Sequence, residues 1–236
     1  MRRNLLFGGA AALVLIGLAG TGGYVYFFSS LRSSPPSLRL SASPSAASAT
    51  ASTGLVGTWT VTTGSVARYR VKELFVGETA KHDAVAQTSS VTGTLSVSGD
   101  SSGYQANGIT VTAALSSLHS IDTVAGRNVS QRDGIVSRQL DVQQFPTAKF
   151  SASTASIPAG VTSGKANITV SGTLTIHGVT RDVTVTGQAQ VAGDKIEVAG
   201  SAAINMADYG VSPPQVPFTA VDPTAIIEFD LFLTKA

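Results

Sequence analysis

The side chains best suited to acid-base chemistry gather in one short stretch of the sequence. The segment GTLTIHGVTRDVTV, residues 172–185, places His177, Arg181 and Asp182 between two alternating apolar runs. An imidazole near a carboxylate has the groups needed for general acid or base catalysis. The alternation around Gly178 is, however, typical of two strands joined by a tight turn. We therefore predict that His177 stabilises a hairpin turn through hydrogen bonding.

The other histidines, His82 and His119, lack the spacing of a metal or catalytic motif. No H-x-H or H-E-x-x-H pattern occurs, so a zinc site would need carboxylates from distant strands. A catalytic Ser-His-Asp triad that uses His119 and Asp122 can be drawn only because serine is abundant. No G-x-S-x-G elbow, the strand-to-helix turn that would carry a nucleophilic serine, accompanies these two residues. Glycine motifs for phosphates or dinucleotides are also missing. The sequence predicts no enzyme, no metal and no cofactor.

An uncharged segment, residues 5–28, follows Arg2 and Arg3. At about 1.5 Å per residue it forms a helix roughly 36 Å long, enough to span a bilayer. The preceding arginines favour a cytoplasmic N-terminus and an extracytoplasmic C-terminal domain. We predict a single-pass cell-membrane protein anchored through residues 5–28. The alternative is a cleaved signal sequence within residues 1–28, in which case the chain is secreted.

The next segment, residues 29–53, is dominated by Ser, Pro, Ala and Thr. It has little apolar surface to offset the entropy of ordering, so we predict a disordered tether. A flexible coil of this length separates its ends by about 28 Å, which lets the domain stand clear of the lipid headgroups. The folded domain then covers residues 54–236.

Charge distribution argues against a nucleic-acid partner. Of the 16 Lys and Arg residues four precede residue 54, whereas all 14 Asp and Glu residues follow it. The domain is therefore weakly acidic and has no basic cluster to bind a phosphate backbone. The absence of cysteine excludes disulfides and a lipoprotein-type thioether anchor.

Alternation of polar and apolar residues with a period of two marks the domain as β-rich. The predicted strands are residues 58–63, 66–76, 90–99, 108–118, 147–153, 166–176, 182–193, 195–206 and 225–234. Turn signals lie at Ser98-Gly99-Asp100, Asn107-Gly108 and Gly193-Asp194. Eight or nine strands at hairpin-like spacing predict an antiparallel barrel or sandwich.

Two segments break this alternation. Residues 128–146 have the apolar spacing of a short amphipathic helix, which Pro146 stops and which closes one end of a barrel. Residues 208–223 contain four prolines and are predicted to form a loop of restricted conformation. Within that loop Tyr209 and Phe218 either shape a portal or only belong to the connection between two strands.

Three of these stretches together resemble the YceI-like family of exported, lipocalin-like β-barrel proteins. They are RDGIVSRQLDVQQFPTAKFSAS (132–153), GTLTIHGVTRDVTV and AAINMADYGVSPP (202–214), in the family's order. The opening GTWTVTTGSVARYRVKELF (57–75) resembles the first hairpin of an actinobacterial-type branch. The resemblance covers residues 54–236. It implies an all-β, extended eight-stranded antiparallel barrel with a short helical segment, whose apolar lumen holds a polyisoprenoid or fatty-acyl lipid.

Strand parity nominates the residues that line this lumen. In residues 66–76 the charged Arg68, Arg70 and Lys72 face water, which turns Tyr69 and Val71 inward. The full set is Tyr69, Val71, Leu95, Val97, Leu115, Phe150, Leu174, Ile176, Val183, Val185 and Ile204, with Leu140 and Phe145 as lids from the helical segment. Recurrent Ala and Gly leave room for a guest, although ordinary core packing is the alternative role of such residues.

Two polar residues of the same strand are candidates to bind the head group of a lipid. Tyr69, as a buried phenol, needs a hydrogen-bond partner that a polar head could provide. Glu73 either contacts the head group or pairs with an arginine at the rim. The prediction is non-enzymatic binding or carriage of a long-chain lipid or isoprenoid at the outer side of the membrane. The alternative is a surface-displayed structural or interaction module with a filled core, and a homodimer is compatible with both.

Overall fold

The computed structural model describes residues 32–41, 54–100, 103–214 and 216–236. Its elements are β1 (Arg32–Ser33), β2 (Gly57–Val61), β3 (Val66–Phe75), β4 (His82–Thr88), β5 (Val91–Asp100), β6 (Gly103–Ala114), β7 (His119–Ser120), β8 (Thr123–Val124), α1 (Gln131–Gln139), β9 (Thr147–Ile157), β10 (Ala166–Ile176), β11 (Val179–Ala192), β12 (Lys195–Asn205) and β13 (Thr219–Lys235). Short 3₁₀ turns lie at Ala159–Thr162 and Met206–Tyr209. In these ranges no helix has the length and apolarity to cross a membrane. The predicted anchor, residues 5–28, lies outside them.

Eight strands close into one antiparallel barrel. Their order around the ring is β2, β5, β6, β9, β10, β11, β12 and β13, and β13 returns to pair with β2. Every neighbouring pair is antiparallel, and hairpins join β5 to β6, β10 to β11 and β11 to β12. The predicted all-β, eight-stranded antiparallel barrel with a short helix is therefore confirmed.

A bend between β2 and β3 lets both strands pair with the same edge of β13. Lys235 of β13 pairs with Trp59 of β2, whereas Thr219 of β13 pairs with Phe75 of β3. The buried Ser65 stabilises the bend, because its hydroxyl donates to the Thr62 carbonyl oxygen (2.8 Å) and accepts the Phe232 amide (2.9 Å). Strand β3 thus continues the barrel wall past the end of β2.

The two ends of the barrel differ in how they are covered. At the closed end, Trp59 and Leu55 are buried, and the Trp59 indole donates to the Leu55 carbonyl oxygen (2.8 Å). Val161 of the first 3₁₀ turn packs into the same apolar cluster. At the opposite end, which we call the mouth, α1, the segment 126–129, Pro214 and the segment 216–219 surround a cavity.

Four of the described strands were missing from the predicted set: β4 and the two-residue strands β1, β7 and β8. Of these, β4 is the longest and the most informative. Its residues show burial on both faces, with Ala84, Val85 and Ala86 all fully buried. A strand covered on both sides does not alternate, so a period of two is the wrong signal for it. The sequence HDAVAQT therefore gave no basis for a strand prediction.

Several predicted boundaries were also wrong for identifiable reasons. Asn107-Gly108 is a β-bulge within β6 instead of a turn, with Gly108 at φ 61° where the register to β5 shifts. Helix α1 ends before Pro146, since the chain turns at Asp141 with φ 44°. Strand β13 begins at Thr219, so the loop predicted over residues 208–223 is shorter, and the register shift after Val221 accommodates Pro223.

Residues 32–41, which we call the strap, lie against the outer wall of the barrel. Arg32 and Ser33 form β1 and pair with β8. Further along, Arg70 donates to the Pro35 carbonyl oxygen (2.8 Å), and Leu40 is buried. The prediction of a disordered tether was therefore wrong for residues 32–41, because wall residues distant in sequence satisfy its polar groups. The other residues of the predicted tether lie outside the described ranges.

Near the strap, Asp230 gives a testable pH dependence. Its Oδ1 atom is buried without a hydrogen-bond partner among the described residues. Burial, and next the Glu197 carboxylate, raise the pKa of Asp230 to about 6, although Arg68 opposes them. The native state therefore binds a proton more tightly than the unfolded chain, and stability falls as pH rises from about 4 to 6.

We expect Asp230→Asn to stabilise the protein by about 1 kcal/mol above pH 6, after discounting for the screening of a half-buried group. The gain should vanish at about pH 3 and below, where Asp230 is protonated in both states. Urea unfolding at both pH values measures it. The exposed Asp194→Asn, in the β11–β12 turn, is the matched control. An equal effect of both substitutions contradicts this account of Asp230.

Candidate functional site

The barrel lumen contains two cavities that share part of their walls. The inner cavity, toward the closed end, has a volume of 190 Å³ and an almost wholly apolar lining. The outer cavity, at the mouth, has a volume of 670 Å³ and adds polar side chains from β3 and α1. Both volumes together reach the range of about 300–1,000 Å³ that is typical of ligand pockets.

Three alanines and one isoleucine form the junction of the two cavities. Ala67, Ala113, Ala148 and Ile227 belong to both walls. Ala113 of β6 and Ala148 of β9 are direct partners across the sheet, so no large side chain projects into the lumen from that pair. Because the alanines project so little, the two cavities lie directly next to each other, and longer side chains at these positions would move their walls apart.

The structure places twelve of the thirteen predicted ligand-binding residues in the cavity walls. The inner wall contains Leu95, Val97, Phe150, Leu174, Val183 and Val185. The outer wall contains Tyr69, Val71, Leu115, Leu140, Ile176 and Ile204. The inward orientation deduced from strand parity is thus consistent with the structure, while contact of these residues with a ligand stays a prediction.

Phe145 is the exception, since it belongs to neither cavity wall. Its ring packs edge-on against the His177 imidazole, with 5.1 Å between ring centroids. The chain between α1 and β9 passes Asp141 and carries Phe145 to the β10–β11 turn. Phe145 therefore covers a hairpin and is not a lid of the lumen.

The β10–β11 turn also shows the position of His177. His177 and Gly178 both have positive φ, 52° and 73°, and join the paired residues Ile176 and Val179. This is the geometry of a two-residue hairpin turn. The His177 Nδ1 atom lies 3.2 Å from the Tyr209 carbonyl oxygen. The geometry agrees with the predicted turn-stabilising hydrogen bond.

A buried network of charged side chains lies beside the outer cavity. Arg132 of α1 donates to Glu73 of β3 (2.6 Å) and to Asp122 (2.7 Å). His82 of β4 contacts the second oxygen of Asp122 (2.7 Å), and the Val85 amide donates to the first (3.0 Å). Glu73 therefore takes the second of its two predicted roles, an ion pair with an arginine at the rim.

The carboxylates of this network have pKa values shifted in opposite directions. Burial alone would raise the pKa of Asp122, but hydrogen bonds from His82 and Arg132 hold that pKa at about 2. Burial raises the pKa of Glu73 even though Arg132 opposes the shift. One arginine thus stabilises two carboxylates, and it donates two hydrogen bonds to Asp122 but one to Glu73.

Glu73, His82 and Asp122 also have the donor types of a metal site, with ligand atoms within 4.8 Å of one another. Arg132 already donates to both carboxylates at 2.6–2.7 Å, and His82 is bonded to Asp122. The guanidinium thus supplies the positive charge that the carboxylates need, and the group is a complete ion-pair network. The triad partner considered for Asp122 lies elsewhere, since exposed His119 contacts the Ser117 carbonyl oxygen (3.0 Å).

Tyr69 brings a phenol to the same region. Its hydroxyl is buried and has no hydrogen-bond partner among the described residues. Burial raises the pKa of Tyr69, so the group stays a neutral hydrogen-bond donor. A buried hydroxyl without a partner is costly, whereas a ligand oxygen at the polar side of the outer cavity would satisfy it.

Sequence reasoning missed the roles of His82, Asp122 and Arg132 in this network. The signal that could have found them is Glu73, which shares strand parity with the inward-facing Tyr69 and Val71. An inward carboxylate requires a cation or a hydrogen-bonding partner. The sequence contains enough arginines to meet that need but does not identify which one folds back onto β3.

Comparisons with known proteins identify related sequences and folds. A sequence model of the YceI-like domain matches residues 59–233. A polyisoprenoid binding domain from Saccharophagus degradans, implicated in plant cell wall breakdown, is 16% identical over 77% of this chain and 99% of its own, with a TM-score of 0.53. BcnA from Burkholderia cenocepacia is 19% identical over 70% of this chain and 95% of its own, with a TM-score of 0.45. No curated protein sequence matches the chain.

Proposed function

Because this chain belongs to the YceI-like domain family, we propose that its barrel binds a long-chain amphiphile, either a polyisoprenoid or a fatty-acyl lipid. The observation that carries the proposal is the pair of contiguous cavities, which runs from the mouth to the closed end. An almost wholly apolar inner wall suits a hydrocarbon chain, and the polar groups of the outer wall suit a head group. A barrel filled by its own side chains would leave neither space.

Burial of hydrocarbon supplies the affinity. Each buried methylene contributes about 0.8 kcal/mol, so a dozen contribute roughly 10 kcal/mol before the cost of association is subtracted. Binding at micromolar concentration or tighter follows. The hydroxyl of Tyr69 then donates to an oxygen of the head group, which adds orientation to an otherwise non-directional interaction.

The place of binding is also part of the proposal. Residues 5–28 anchor the chain in the membrane, Arg2 and Arg3 remain in the cytoplasm, and the barrel lies on the outer side. Anchoring raises the effective concentration of the barrel near membrane lipids. The protein then holds or carries a lipid at the membrane without chemical conversion.

Native mass spectrometry of the full chain, purified in mild detergent, with organic extraction and lipid analysis, tests this function. We expect a stoichiometric long-chain adduct that survives purification and identifies the lipid class. No adduct, joined to no binding of added fatty acids or polyprenyl alcohols, contradicts carriage. That result would favour a surface-displayed structural or interaction module.

A further inference from the structure

We propose that the strap turns the mouth of the barrel toward the membrane, so that the rim of the lipid cavity contacts the bilayer surface. The inference rests on the proposed function, in which residues 5–28 cross the membrane. Its evidence is the course of the strap along the barrel, its separation in sequence from residue 28, and the side chains exposed at the rim.

The strap begins at the mouth. Arg32 and Ser33 pair with Val124 and Thr123 of β8. Two residues after β8, at Gly126, the chain enters the wall of the outer cavity. The first described residues after the predicted anchor are therefore fixed beside the cavity opening.

From the mouth the strap runs down the outside of the barrel. The Ser34 hydroxyl donates to the Asp83 carbonyl oxygen of β4 (2.6 Å). The Ser41 amide and hydroxyl both donate to Glu197 Oε1 (2.7 Å each). Glu197 is fully buried and lies near the start of β12, whose first residue pairs with Thr234 near the end of β13. Ser41 therefore lies toward the closed end.

This course reverses the orientation that the barrel would otherwise have. The barrel's own chain starts at the closed end, where Leu55 is buried beneath β2. A chain that passed directly from the membrane to Leu55 would hold the closed end near the bilayer and turn the mouth away. Because the strap first crosses the full wall, the end nearest the anchor is the mouth.

The anchor and the strap are close in sequence. Only residues 29–31 separate residue 28 from Arg32. Even fully extended, this connection reaches no more than about 14 Å. The headgroup region occupies roughly 5–8 Å on each side of the hydrocarbon core, so the mouth cannot lie far from it.

The rim of the mouth has the side chains expected at such a surface. Val76 and Phe218 are 69% and 51% exposed, and the Val76 amide donates to the Phe218 carbonyl oxygen (3.0 Å), so the two lie side by side. The exposed Arg127 places its guanidinium 4.1 Å from the centroid of the Phe75 ring. Apolar side chains with a nearby cation suit the interface of a bilayer that contains anionic lipids.

Contact of this rim with the bilayer would also let a lipid enter the lumen without exposing its hydrocarbon chain to water. Phe218 belongs both to the exposed rim and to the wall of the outer cavity, which also contains the buried Phe75. An acyl or isoprenyl chain that leaves the bilayer beside Phe218 therefore meets the cavity wall at once. The exposed aromatic side chain is thus continuous with the binding site.

The test uses the full chain in vesicles of phosphatidylcholine and phosphatidylglycerol. Since the chain has no cysteine, Val76→Cys and Val56→Cys each give a single site for an environment-sensitive fluorophore. Val56 is 48% exposed at the closed end and is the matched control. We expect doxyl-labelled lipids to quench the label at position 76 at least about twofold more than the label at position 56, because interfacial apolar groups enter the headgroup boundary by about 5–10 Å.

A second pair of variants tests the role of the strap. Leu40→Asn replaces a buried strap residue and should abolish the difference between positions 76 and 56, whereas Arg39→Asn replaces its exposed neighbour and should preserve it. Equal quenching in the unaltered chain, stronger quenching at position 56, or a chain that does not stay with the vesicles overturns the proposal. Persistence of the difference in a folded Leu40→Asn variant overturns the role of the strap.

Lipid extraction from the same samples separates this inference from the proposed function. A barrel that carries lipid but shows equal quenching overturns the orientation alone. A barrel that shows the predicted difference and carries no lipid supports the orientation and contradicts carriage. If Leu40→Asn fails to fold, the comparison of positions 76 and 56 in the unaltered strap still decides the orientation.

Discussion

Arg132→Met should lower the free energy of unfolding at neutral pH by about 3–5 kcal/mol, the range observed when one partner of a buried ion pair is removed. Arg132 donates to Glu73 and Asp122 at 2.6 and 2.7 Å, and both carboxylates are buried. Methionine preserves much of the side-chain volume but leaves the two carboxylates without the guanidinium that donates to both. The loss is therefore electrostatic and should depend on pH.

The direction of that dependence follows from Asp122. Its pKa of about 2 lies below the ordinary value near 3.9, so it contributes stability above about pH 4 that is lost as pH falls toward 2. Without Arg132 both carboxylates bind protons at higher pH, which relieves their repulsion. The destabilisation by Arg132→Met should therefore be largest at pH 7 and decrease toward pH 4.

Urea unfolding followed by the fluorescence of Trp59, the single tryptophan, measures both effects. Trp59 is buried at the closed end, away from the substitution, and so reports global unfolding. Arg138→Met is the control, because Arg138 is exposed on the same helix, and should change stability by less than about 0.5 kcal/mol. Equal losses in the two variants, or a loss independent of pH, contradict the assigned role of Arg132.

The parts of the fold that could be predicted are those that depend on residues close together in the sequence. Strands with one solvent-exposed face were predictable, since alternation in β3 correctly turned Tyr69 and Val71 inward. Strand β4 was not, because the residues that bury its outer face are not its neighbours in sequence. Local pattern thus determines a strand's inner face but carries no information about what covers the outside.

The strap and the charged network show the same limit. Ser41 and Glu197 are separated by 156 positions, and Arg132 and Glu73 by 59. Composition alone predicts disorder for residues 29–53, because the acceptors that order residues 32–41 belong to the barrel wall. The candidate site was therefore predictable in its apolar lining, which follows strand parity, and unpredictable in its polar end, which four separate segments assemble.

Ala148→Leu should divide the lumen and limit the length of chain that the barrel accepts. Ala148 lies at the junction of the two cavities, opposite Ala113, and a larger side chain there projects into the space between them. A long chain then loses its contacts with the inner cavity. Exclusion of four methylenes costs about 3 kcal/mol, which weakens binding by roughly two orders of magnitude.

Chain length gives this prediction its internal control. Decanoic acid is short enough to remain within the 670 Å³ outer cavity and should bind the variant nearly as well as the unaltered protein, whereas octadecanoic acid and a polyprenyl alcohol should lose most of their affinity. Ala203→Leu makes the same substitution at an exposed position of β12 and should change neither. Calorimetric titration with the three ligands measures the difference. Blocking the junction can cost long ligands more than short ones only if a long chain enters both cavities. If Ala148→Leu lowers the affinity for short and long ligands equally, or if Ala203→Leu has the same effect, the two cavities do not act as one continuous site.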